Sequence, residues 1–94
     1  MKTRSRRIKS VTLIPPLAIT AIYCERDGSI FRNPIIFAAV IDNGEVDDDF
    51  ELWDLNHDGV FFDSRNEDNI LGFEFNGIEQ DWSEQIKYYL NNIE

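Results

Sequence analysis

The chain has 94 residues, 43% of them hydrophobic and 13% aromatic, and a formal net charge of −9 at pH 7. That length supports one domain around one core, and the apolar content argues against a chain kept disordered by its charge. The negative balance argues against nucleic-acid binding by the body of the domain, because phosphate contacts need cations.

The first ten residues carry Lys2, Arg4, Arg6, Arg7 and Lys9 and no acid. They read as a flexible basic arm, residues 1–10, able to fold back on the acidic body or touch an anionic surface, ahead of a single acidic domain spanning 11–94. A basic start before the apolar run Val11–Cys24 has the outline of a signal peptide. However, Thr12, Thr20 and Pro15-Pro16 interrupt the run, and no small-residue cleavage pattern follows. Fourteen interrupted residues are also too few to cross a bilayer. The one cysteine, Cys24, cannot form an internal disulfide and lies in apolar sequence, where a free thiol behaves as a small buried hydrophobe. A cytoplasmic protein is expected.

From Pro15-Pro16 onward the pattern is β. Leu17–Cys24 is rich in apolar and β-branched residues, and Asp27-Gly28 supplies a turn. Ile30–Ile41 follows, divided by Pro34, with Ile35–Ile41 the most strand-like run of the chain. Asn43-Gly44 marks a second turn. Phe50–Leu55 and Val60–Ser64 flank Asn56-His57-Asp58-Gly59, and Ile70–Phe75 is a short last strand. The period then changes: Trp82, Ile86, Tyr89, Leu90 and Ile93 fall on one helical face, and Asp81 and Glu84 suit the positive end of the helix dipole. The prediction is an α+β fold: an antiparallel β-sheet of five or six strands with one C-terminal helix packed on it.

Charge is distributed unevenly along this frame. Residues 42–68 hold eleven carboxylates against one cation, Arg65. Two carboxylates about 5 Å apart repel by roughly 0.8 kcal/mol even in a water-like dielectric, and by several times that near a protein surface. A bound hard cation or a positively charged partner would offset that cost. Asp54-Leu55-Asn56-His57-Asp58-Gly59-Val60 matches the opening of a calcium loop, in which alternate side-chain oxygens converge on the ion. Arg65 stands where the bidentate Glu of an EF-hand belongs, and helical patterns do not flank the segment, so a standard EF-hand is not expected.

A hairpin turning on Asp58-Gly59 gives the alternative local geometry. It sets His57 opposite Val60, Leu55 opposite Phe62 and Asp54 opposite Asp63. Like charges facing each other in a ladder are destabilising, and such a pair could instead grip one cation. Asp54, Asn56, Asp58 and Asp63 are therefore the primary candidate metal ligands. Asp47, Asp48 and Asp49 contribute to that site or form a weaker second one. An all-oxygen set favours Ca²⁺ over zinc or copper.

Pro15-Pro16, the Cys24–Ile30 turn region, the acidic stretch Ile41–Asp63 and Leu71-Gly72-Phe73-Glu74 together resemble the cyanobacterial calcium-binding protein (CcbP) family. The resemblance covers about residues 15–94. It implies a small, acidic, cytoplasmic protein that sequesters Ca²⁺ without an EF-hand. Leu-Gly-aromatic-Glu strands in a similar setting also resemble small bacterial domains that lack this acidity.

An enzyme is not expected. His57, the only histidine, stands beside a turn, and no nucleophile set or phosphate loop can be assembled. Paired carboxylates for glycoside chemistry would lack a cleft in so small a domain. The competing role is an acidic interaction module docking on a basic protein partner by charge complementarity. The acids gather around the Gly-bearing turns, which favours a calcium-binding buffer or sensor. Trp53 is placed to report on the site by fluorescence, whereas Trp82, a helix core residue, should stay quiet.

Overall fold

The computed structural model describes residues 7–42, 44, 46–55 and 59–93. Among these residues lie seven strands, one α-helix and a single 3-10 turn at Ser64–Asn66. The strands are β1 (Arg7–Leu13), β2 (Ile19–Cys24), β3 (Ile30–Pro34), β4 (Phe37–Asp42), β5 (Asp49–Leu55), β6 (Phe61–Asp63) and β7 (Ile70–Phe75), and the helix is α1 (Ser83–Asn92). The α+β class is as expected. Instead of one sheet, however, there are two antiparallel sheets, ordered β1-β4-β5-β6 and β3-β2-β7.

Pro34 and the two isoleucines after it divide the sheets. Proline brings no N–H to a ladder and ends β3. The next two amides then serve different sheets: Ile35 donates to the Ile19 carbonyl (3.0 Å) and Ile36 to the Trp53 carbonyl (2.8 Å). The expected strand of residues 35–41 thus begins two residues later, and Ile35 is buried where the chain crosses.

The strand β1 was not expected. Arg7–Ser10, assigned from the sequence to a flexible arm, belong to this strand and pair with β4. The boundary expected at residue 10 therefore falls inside a strand.

The core lies between the sheets. Ala21, Tyr23 and Ile35 are buried at its centre, packed by Ile14, Ile19, Leu52, Phe62, Ile70 and Phe73. Alternate residues of β2 point to the other face, and there Ile22 and Cys24 are fully buried. On that side Trp82, just ahead of α1, packs its ring on Gly72, which pairs with Ile22. The fold is thus three layers: four-stranded sheet, three-stranded sheet, then the segment ending in α1. Trp82 is buried, and Ile86, Tyr89, Leu90 and Ile93 are half-buried, as their helical spacing predicts.

Glu74 fastens the outer layer. Its carboxylate accepts from Arg32 Nε (2.8 Å) and Nη2 (3.1 Å), from the Gln80 amide (2.9 Å) and from Trp82 Nε1 (2.7 Å). The Arg32 guanidinium leads the effects that hold its pKa down at about 2. A buried carboxylate with this many donors is stable because each lone pair lost to water is replaced.

Candidate cation site

The first sheet carries the acidic segment, and the alternation of its strands decides which carboxylates reach solvent. In β5, Leu52 and Asp54 face the second sheet while Glu51, Trp53 and Leu55 face outward. Leu52 contributes to the core, and Asp54 is drawn in with it. Asp54 is fully buried. Its Oδ2 accepts from the Tyr23 hydroxyl (2.8 Å) and from Asn33 Nδ2 (3.0 Å), while Oδ1 has no hydrogen-bond partner among the described residues. Burial, the dominant cause, pushes its pKa above the ordinary carboxylate value. Tyr23 is likewise raised, first by burial and then by its bond to Asp54.

The expected pairing of Asp54 with Asp63 does not occur. The ladder runs Trp53 to Asp63, Asp54 to Phe62 and Leu55 to Phe61, one residue away from the register of a turn on Asp58-Gly59. A slip of one residue exchanges the faces of a strand. Here it sends Phe62 into the core and puts Asp54 and Asp63 on opposite faces, so the two cannot hold one ion. It also removes the like-charge pair that the shorter turn would have imposed.

Asp63 is occupied in a different way. Its Oδ1 accepts from the amides of Leu52 and Arg65, both at 3.2 Å, and Arg65 Nη2 lies 3.4 Å from Oδ2. Arg65 also donates to the Phe50 carbonyl and stacks over the Phe50 ring at 4.5 Å. The single cation of the acidic segment thus neutralises one of its least exposed surface acids. Asn56, His57 and Asp58 lie outside the described residues, as does Asn43 of the other expected turn.

Asp47, Asp48 and Asp49, by contrast, are exposed at the end of the first sheet. Asp42 stands at the other side of this connection, where its Oδ1 accepts from the Gly44 amide (3.0 Å). That bond leads the effects that hold its carboxyl below the usual range, with Arg7 contributing. Two cations from β1 reach this end: Arg7 Nη2 lies 3.3 Å from Asp42 and Lys9 Nζ 2.8 Å from Asp48. The bond to Asp48 raises the Lys9 pKa above its ordinary value.

Arg7, Lys9 and Asp42 were not among the expected ligands, although the basic first ten residues read as an arm able to fold back on the acidic body. Their signal lay in the sequence as a basic start against an acidic middle segment, and strand pairing with β4 brings them together. The described residues contain no group of three or more His, Cys, Asp or Glu side chains arranged to hold a metal ion. A second acidic recess lies on the outer face, a cavity of about 330 Å³ lined by Glu51, Trp53, Phe61, Phe62, Asp63 and Asn66. There Glu51, half-buried, accepts through Oε1 from Trp53 Nε1 (2.7 Å).

No protein-family model, curated protein or solved structure matches the chain. No helix among the described residues is long and apolar enough to cross a membrane.

Proposed function

We propose that this protein binds Ca²⁺ through clustered surface carboxylates, without an EF-hand, as a cytosolic buffer or sensor. The observation that carries the reading is the exposed acidic end of the first sheet. Asp47, Asp48 and Asp49 stand there with Asp42, and the fold already draws two of its own cations, Arg7 and Lys9, to that spot. A location that recruits exposed side-chain cations from a neighbouring strand is one where the carboxylate field is strong. Its donors are all oxygen, the chemistry a hard cation prefers. The resemblance to the cyanobacterial calcium-binding family points the same way. The carboxylates proposed to attract the ion are Asp47, Asp48, Asp49 and Asp42; they are not preassembled as a ligand shell and would converge on the ion as it binds, displacing Arg7 and Lys9. Asp54 is structural.

The test is thermal denaturation of metal-stripped protein with and without CaCl₂. Free Ca²⁺ at about a hundred times its Kd should add about 2.7 kcal/mol of stability, or a Tm gain of about 14 °C for a domain of this size. Changing Asp47, Asp48 and Asp49 together to Asn should remove most of that gain. Lys9→Ala should enlarge it at a given sub-saturating calcium concentration, because a competing cation is removed from Asp48. A triple variant that keeps the full gain would place the ion elsewhere.

A second reading, an acidic interaction module for a basic protein partner, is favoured by one observation. The outward face of the same sheet sets apolar residues beside its acids.

A further inference from the structure

The outward face of the four-stranded sheet has an ordered chemistry. Residues in register across a ladder share a face, so its side chains can be followed in rows from β1 to β6. One row runs Ile8, Ile41, Asp49; the next Val11, Ala39, Glu51; the third Leu13, Phe37, Trp53, Asp63. Leu55 and Phe61 complete the face. Each row starts apolar on β1 and ends on a carboxylate at β5 or β6. The irregularity between Ile8 and Ser10 makes this possible, since it lets Ile8 and Val11, three residues apart, share one face.

Much of this apolar surface is open. Leu13 is 67% exposed, Ile8 51%, Val11 47% and Phe61 45%, over a floor of buried Ala39 and Ile41. The aromatic part is continuous: Phe61 packs edge-on to Phe37 with centroids 5.3 Å apart and lies 6.5 Å from Trp53. Shallow cavities of about 220 and 330 Å³ lie on either side of Trp53. The second sheet and α1 cover other faces of the molecule, so none of the chain's described elements packs here. Contiguous exposed apolar surface edged by charge marks interaction sites.

We propose that this face docks a cationic amphipathic segment of a basic protein partner. The segment would lie along the strands, its apolar side over Ile8, Val11, Leu13, Phe37 and Phe61 and its Lys or Arg side chains over Asp49 and Glu51; Asp63 is already held by Arg65. Charge selects this occupant. A second copy of the chain would bring another net charge of −9 to the same acids, whereas a basic segment matches both the apolar and the acidic ends of the first two rows. The inference rests on the interaction-module reading; it shares Asp49 with the proposed calcium site, so its test is run without metal.

The test uses two fluorescently labelled peptides of equal charge: a Lys/Leu amphipathic sequence and the same sequence with every Leu replaced by Ser. Binding is read by anisotropy at physiological salt in metal-free buffer. The Lys/Leu peptide should bind saturably and at least about tenfold tighter than the Lys/Ser peptide. The Leu13→Ser/Phe61→Ser variant should lose about tenfold in affinity for it. Both substituted side chains are exposed. If this variant nevertheless misfolds, amide shift mapping on the wild type should place the peptide on β1, β4, β5 and β6. Equal binding of both peptides, an unchanged affinity in a folded variant, or shifts confined to the other sheet would overturn the site while leaving a charge-driven module. No binding of either peptide would remove the module reading as well. A wild-type dimer that the double variant dissociates would assign the face to a second copy and overturn the proposal.

Discussion

Asp54 and Glu74 are two carboxylates taken from water under opposite conditions, and each has a signed consequence for stability. Glu74 has four donors and a pKa held at about 2, below its ordinary value. Its ionised form is bound more favourably in the folded state, so its contribution is complete above the ordinary pKa of about 4.3 and is lost as pH falls towards 2. Glu74→Gln should cost about 3 kcal/mol at pH 7, where a buried, paired charge loses its partner. The gap to wild type should close on acidification, as urea melts between pH 2 and 7 would record. Asp54 has the reverse sign. With its pKa raised, the folded state holds the proton more tightly, so stability is present at low pH and declines as pH rises through the folded pKa. Asp54→Asn should therefore gain on wild type as pH rises from about 4 towards neutrality. Because Asp54 is buried, the same change should leave calcium affinity unaltered.

At the scale of the element, the legible parts were those in which one period runs unbroken. The spacing of Trp82, Ile86, Tyr89, Leu90 and Ile93 identifies the helix face, and the apolar runs locate β2, β4, β5 and β7. The first strand was not legible because its irregularity at Lys9 breaks the two-residue period and every residue in it is exposed. The β5–β6 register was misjudged because Asp58-Gly59 offers a two-residue turn, whereas burial of Phe62 beside Leu52 sets a longer connection. That one-residue difference put Asp63 on the face opposite Asp54, which β5 itself turns into the core. The sequence did display Leu71-Gly72-Phe73-Glu74, and the fold supplies its reason. A Cβ on Gly72 would come within 2.7 Å of the Trp82 ring, which is itself tied to Glu74. Gly72→Ala should destabilise by about 1–3 kcal/mol, with the loss read by denaturant titration and a shift in tryptophan emission.

For the whole molecule, the central question is how a chain of net charge −9 accommodates eleven acids within residues 42–68. Part of the answer is internal: Asp54 is buried with a raised pKa, Asp63 is held by Arg65, and Asp42 and Asp48 meet Arg7 and Lys9. The acids at the end of the first sheet are the ones proposed to meet Ca²⁺. Those on its outward face stand beside apolar rows suited to a basic segment. Had the acids been a uniform solubilising coat, neither the recruited cations nor the ordering from apolar to acidic would be required. The most direct measurement is isothermal titration of metal-stripped protein with CaCl₂ at physiological salt, with MgCl₂ titrated in parallel. Saturable Ca²⁺ binding at micromolar Kd or tighter, little affected by Mg²⁺, is the expected result. A featureless trace, or equal weak heats from both ions, would contradict it, because a screening atmosphere has no site and no preference.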